Sequence, residues 1–178
     1  MRKYTFRYGD GTVEIPLDEK NVLGELHGNR VPAIEDIPAA LDGALNAPVD
    51  APALKDWLCP GDRVCLIVSD MSRFWMRQDR VIPPLVDYMN RAGIPDAQIT
   101  ILVANGTHIG GGEAELRTLV TDSIYDRIRV VHHDCLAPDL VDVGVTPHGT
   151  RVRIHPLAAH ADRVVCLGAC THHVMAGF

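Results

Sequence analysis

The stretch Arg63-Val64-Cys65-Leu66-Ile67-Val68-Ser69-Asp70-Met71-Ser72-Arg73 decides the reading of the fold. Residues 63–68 form a compact apolar run behind Pro60-Gly61-Asp62, and the run breaks abruptly into polar residues. A strand that is apolar throughout, rather than at every second position, is covered on both faces, the situation of parallel sheets. The same pattern recurs outward along the chain. Residues 83–92 read as a helix stopped by Gly93, 98–104 as a second buried strand, and 113–120 as a helix behind a glycine-rich turn. Residues 128–132 read as a third strand, 157–161 as a short helix and 163–167 as a last buried strand, while 140–145 and 150–154 flank Pro147-His148-Gly149 as a hairpin. Strand–helix alternation of this kind gives an α/β fold, a mostly parallel twisted sheet with helices on both faces. In front of it, 4–8 and 12–17 alternate around Gly9-Asp10-Gly11 and predict an N-terminal β-hairpin. Between the two, Ile34, Ile37, Ala40, Leu41 and Leu45 have helical spacing, and a further short helix is expected over 53–58.

Composition narrows the function classes. The chain has 178 residues, enough for one ordinary domain with a real core, and a formal net charge of −6. An acidic balance argues against non-specific binding to nucleic acid or to an anionic membrane, while leaving room for an anionic substrate held by local cations. No apolar run reaches the roughly 20 residues of a membrane span. Five cysteines without a C-x-x-C suggest a reduced, cytoplasmic protein, with Cys65 and Cys166 inside apolar runs and expected in the core.

Three of the buried strands end in polar clusters. The first runs into Ser69-Asp70-Met71-Ser72-Arg73, the second into Asn105-Gly106-Thr107-His108 and then Gly110-Gly111-Gly112, and the last into Gly168-Ala169-Cys170-Thr171-His172-His173. Parallel strands place all three loops on one edge of the sheet, where ligands of such folds bind. That edge gathers a carboxylate, a guanidinium and at least two imidazoles. Arg73 can hold a carboxylate bidentately, and His108 and His173 have the chemistry of a general acid and base. Asp70 can orient a histidine or arginine, or accept from a ribose hydroxyl. The glycines at 110–112 allow close backbone approach and present N–H groups to a phosphate. Each piece also has a plain structural reading as a turn, cap or surface pair, so the argument rests on their co-location. His132-His133-Asp134 is read as structural, because adjacent strand residues point to opposite faces and seldom share one ion. Metal-ligand spacing and a nucleophile elbow are both absent, so no metal site is assigned.

In order and spacing, Ser69–Arg73, Ala104-Asn105-Gly106-Thr107-His108 and His172-His173-Val174-Met175-Ala176-Gly177-Phe178 resemble three signatures of the lactate racemase family, and the resemblance runs over nearly the whole chain. It implies a 2-hydroxyacid racemase or epimerase that uses a nickel pincer nucleotide tethered by a lysine. His108 and His173 would then exchange the hydroxyl proton, and Arg73 would hold the carboxylate of a small 2-hydroxyacid. Asp70, Ser72, Thr107, Gly110 and Gly111 would lie towards the cofactor. Two departures stand out: Ser72 replaces a threonine and Phe74 a proline, and Phe74-Trp75 adds bulk beside Arg73, which points to a hydroxyacid other than lactate. The resemblance further implies that 1–178 is the N-terminal domain, ending short of the glycine-rich loop with the cofactor lysine. On that reading a C-terminal domain or partner chain supplies the rest of the site, and the chain alone is inactive, carries no covalent cofactor and forms a homodimer through bare apolar surface. The competing reading is a non-catalytic domain that binds a small anion or nucleotide alongside a partner chain.

Overall fold

The computed structural model describes residues 1–172 together with Met175 and Gly177. The chain forms two units, 1–33 and 34–178. The first is a hairpin of β1 (Arg2–Tyr8) and β2 (Gly11–Leu17), antiparallel and in register from Arg2↔Leu17 to Tyr8↔Gly11. Gly9 takes the positive φ (57°) that the tight connection demands.

The second unit is built on a four-stranded parallel sheet of β3 (Val64–Ser69), β4 (Ile99–Ala104), β5 (Arg129–His132) and β8 (Arg163–Leu167), in the order β5-β4-β3-β8. The chain steps outward from β3 to β4 to β5, then returns to the far side of β3. The order therefore reverses between β3 and β8, and in open α/β sheets a crevice forms at the strand carboxyl ends at such a point.

Helices occupy both faces, unequally. One face presents Val64, Leu66, Val68, Ile99, Ile101 and Val103 to α3 (Ile82–Arg91), α4 (Glu113–Val120) and α5 (Asp122–Tyr125). α3 contributes Ile82, Leu85, Val86 and Met89, apolar at the i, i+3, i+4, i+7 spacing of a core-facing stripe. Beyond it, α1 (Ile37–Asn46) is capped by the Asp36 carboxylate, which accepts from the Ala39 N–H at 2.9 Å, and adds Leu41 and Leu45 to the same core. α2 (Leu54–Trp57) lies next to α1. α3 ends at Gly93, whose φ of 99° turns the chain so that the Ile94 N–H reaches the Met89 carbonyl at 3.0 Å. Among the described residues the opposite face is covered only by α6 (Pro156–Ala159) and by the hairpin of β6 (Val141–Val145) and β7 (Arg151–Ile154). Cover is thin there, and this corrects one expectation: Cys65 is buried, but Cys166 is exposed. Burial pushes the Cys65 thiol up to about 11, so it is an inert core group. All five cysteines are free.

Two short features escape sequence periodicity. α5 is a single turn, and the segment after β3 is not an open loop but a 3-10 helix over Met71–Met76. Leu66 is fully buried at the centre of the sheet. Leu66→Ala should therefore cost about 3 kcal/mol by lost transfer and an unfilled cavity, read as a lower urea midpoint at unchanged m-value; a shift under a third of that size would show the core elsewhere.

Candidate functional site

The carboxyl ends of β3 and β4 lie side by side, with Ser69 paired to Ala104. The loops that follow are joined by Asp70. Its side chain is only 10% exposed. Oδ2 lies 2.6 Å from Nδ1 of His108, and Oδ1 accepts from the Ser72 hydroxyl at 2.6 Å. Arg73 then donates from Nη1 to the Ser72 oxygen at 3.2 Å. Asp70, Ser72, Arg73 and His108 thus form one connected cluster at the sheet edge.

The electrostatics follow from this geometry. Burial pushes the Asp70 carboxyl up, but the Ser72 hydroxyl and the His108 imidazole together outweigh it and hold the group below the usual carboxylate range. A carboxylate can only accept, so Nδ1 of His108 must be its protonated nitrogen. In neutral His108 the lone pair then sits on Nε2. The His108 side chain is 57% exposed, so the cluster has a buried, ionised end and an end open to a ligand.

Each loop has its own anchor. Gln78 is 2% exposed and clamps the strand end: its amide donates to the Ser69 carbonyl at 2.7 Å and accepts from the Ser69 N–H at 3.2 Å. This bends the 3-10 segment back over the edge. The bend passes through Arg77 at φ 54°, a left-handed conformation costing roughly 1 kcal/mol for such a residue, held by its bidentate pair with Asp79 at 3.0 and 2.8 Å. The 105–112 loop is fixed by buried Asn105, whose side-chain oxygen lies 2.8 Å from Nδ1 of His132 on β5. The His132 ring lies against Gly110, where a Cβ would come within 2.6 Å of it. Glu115 accepts from the Gly111 N–H at 3.1 Å. A phosphate at that N–H would have to displace this carboxylate. Thr107 is exposed beside His108.

His132 and His133 do diverge. His132 bonds to Asn105, while His133 lines a cavity of about 400 Å³ on the other face with His155. Burial, then His133, hold His155 below the usual imidazole range, and its Nδ1 caps α6 by accepting from the Leu157 N–H at 3.1 Å. Phe74 departs from expectation: it packs into the core, so only Trp75 stands at the edge. His173 lies outside the described residues. Gln78 and Glu115 belong to no motif singled out in the sequence, and their anchoring roles, like that of Asn105 within its motif, come from tertiary contacts alone.

The lactate racemase N-terminal domain model matches residues 8–178. The chain belongs to this family. The lactate racemase of Lactiplantibacillus plantarum is 27% identical over 178 residues, a match covering 96% of this chain and 41% of that protein. The lactate racemase of Thermoanaerobacterium thermosaccharolyticum is 26% identical over 181 residues, covering 93% and 41%. The structure of the lactate racemase apoprotein from the latter organism superposes with a TM-score of 0.76 at 23% identity, over 93% of this chain and 38% of that one, a likeness of fold. The chain spans about two fifths of the length of these curated relatives.

Two outcomes test the geometry. In Asp70→Asn, ¹⁵N spectra should show neutral His108 losing its preference for the Nδ1–H form; an unchanged tautomer would break the link. Because the folded Asp70 pKa is depressed, its stabilisation is present above the unfolded value of about 3.9 and is lost as pH falls through the folded one. The stability gap between wild type and Asp70→Asn should therefore be widest near neutrality and close in acid. Gly110→Ala should cost about 1–3 kcal/mol by overpacking against the imidazole, and less in a His132→Ser background; equal costs in both would remove His132 as the obstacle.

Proposed function

We propose that the carboxyl edge of this sheet is the substrate-handling face of a 2-hydroxyacid racemase or epimerase. The observation that carries the reading is the 2.6 Å bond between the buried Asp70 carboxylate and Nδ1 of His108. It fixes the tautomer and turns Nε2 outward as a proton acceptor, the arrangement a general base needs. When the substrate hydroxyl gives up its proton, the resulting imidazolium is stabilised by the carboxylate behind it. The same group returns the proton in the reverse direction, and His173 is proposed as its counterpart on the opposite side of the substrate. Arg73 takes the substrate carboxylate; its guanidinium is exposed and donates to the Ser72 hydroxyl oxygen, which leaves the rest of its donor fork, among the described residues, for a ligand.

The family's nickel pincer nucleotide belongs to this proposal as the group that handles the carbon-bound hydrogen. The described residues do not by themselves fit it. Among them no group of three or more His, Cys, Asp or Glu is arranged for a metal ion. Of the chain's lysines, Lys3 and Lys20 lie in the hairpin unit and Lys55 precedes the amino end of β3. What this chain's own residues account for is the proton and the carboxylate, and cofactor attachment is assigned to a C-terminal domain or partner chain. On this reading residues 1–178 are the racemase's N-terminal domain, inactive alone, and pairing with that domain or with a second copy would complete the thin cover on the second face of the sheet. Free thiols suit a cytoplasmic setting; no helix among the described residues is long and apolar enough to cross a membrane.

In the cofactor-loaded racemase that carries this domain, His108→Ala should lower kcat for interconversion of 2-hydroxyacid enantiomers by about 10³-fold. Arg73→Lys should act mainly through KM, by roughly 10- to 100-fold, because an ammonium lacks the bidentate fork. Turnover within a factor of two of wild type in His108→Ala would leave the anion-binding reading in its place.

A further inference from the structure

At the point where strand order reverses, between β3 and β8, lies a cleft of about 230 Å³. Its walls are Trp75, Met76 and Val81 on one side and Leu167 with the Gly168-Ala169 backbone on the other. Gln78 also lines it, but its amide is committed to the Ser69 backbone, so the cleft is apolar in effect. Trp75 is 62% exposed, and among the described residues its indole N–H has no acceptor. A bare indole beside an apolar cleft is a surface that gains from a hydrophobic ligand.

The position ties the cleft to the proton-transfer cluster. Asp70, Arg73 and Trp75 all come from the single segment after β3, five residues of chain apart at most. A small acid whose carboxylate sits on Arg73 has its substituent to place nearby. The methyl group of lactate would leave most of this volume to water, whereas a dry cavity of about 150 Å³ already accepts a benzene ring. The opposite wall is also open to growth. A Cβ built on Gly168 meets nothing within 4 Å, and Gly168 is not among the positive-φ glycines, so a side chain there is accepted by the backbone.

We infer that the Trp75–Gly168 cleft receives the substituent of the substrate, and that the preferred substrates are 2-hydroxyacids with an aromatic or large branched side chain. This rests on the racemase reading of the Arg73–His108 edge. Trp75 is the specificity-determining residue, and Gly168 sets the depth of the cleft.

The chain contains only two tryptophans, Trp57 and Trp75, so its indole N–H region in ¹H–¹⁵N spectra holds two signals, assigned by Trp75→Phe. Titration of the 178-residue chain with 3-phenyllactate and with lactate reads both the indole and the His108 ring. 3-Phenyllactate should move His108 and the Trp75 indole together and saturably, with an affinity at least about tenfold above that of lactate, the discrimination typical of a filled apolar pocket. Gly168→Val should weaken 3-phenyllactate at least about tenfold more than it weakens lactate. Equal affinities with a silent Trp75 indole, or an unchanged ratio in Gly168→Val, would overturn the inference while leaving the racemase reading standing. No response of His108 to either acid would overturn both.

Discussion

A buried carboxylate that touches an imidazole from another strand is a demanding arrangement, because the charge must be repaid by hydrogen bonds at both oxygens. Asp70 meets that demand with His108 on one oxygen and Ser72 on the other. The rest of the edge can be understood as what keeps those partners in reach. β3 and β4 must be parallel neighbours so that both loops leave the sheet at the same end. The segment after β3 must fold back at once, which the Gln78 clamp on Ser69 enforces. The loop after β4 must hold one shape, which Asn105 and His132 enforce from inside the sheet.

The same construction separates rigid from adaptable parts. Among the described residues the buried polar ones are Asp70, Gln78 and Asn105; Asp70 and Asn105 directly follow β3 and β4, and Gln78 is bonded to the last residue of β3. Arg73, Trp75 and His108 are exposed, each one bond or a few residues away from a buried anchor. The positions of these solvent-facing side chains are thus set by groups that do not face solvent. Gly110 and Gly111 fit this picture without any ligand, since the His132 ring and the Glu115 carboxylate already occupy the space a side chain would need.

Much of this was legible in the residues. The largely apolar stretches 63–68 and 98–104 announced buried parallel strands, and parallelism alone put Asp70, Arg73 and His108 on one edge. The sequence could not say that Asp70 would choose His108, because that contact spans 38 positions and depends on strand adjacency. Gln78 stands among charged neighbours in Arg77-Gln78-Asp79-Arg80, and only the tight 3-10 turns bring it under Ser69. Cys166 misled for a related reason. Its run is as apolar as that of Cys65, but β8 is an edge strand on the thinly covered face, so position in the sheet, not local hydropathy, set its exposure. Phe74, read beside Trp75 as one bulky pair, separates from it because consecutive residues of a 3-10 turn point in different directions.

The central claim is that Asp70 presents His108 to a substrate held by Arg73. A crystal structure of the chain with a bound 2-hydroxyacid tests it most directly. The account predicts the ligand carboxylate on the Arg73 guanidinium and its hydroxyl within hydrogen-bond reach of His108 Nε2, with the Asp70–His108 bond intact. A ligand bound away from this edge, or one that takes Asp70 for itself and turns His108 aside, would contradict it.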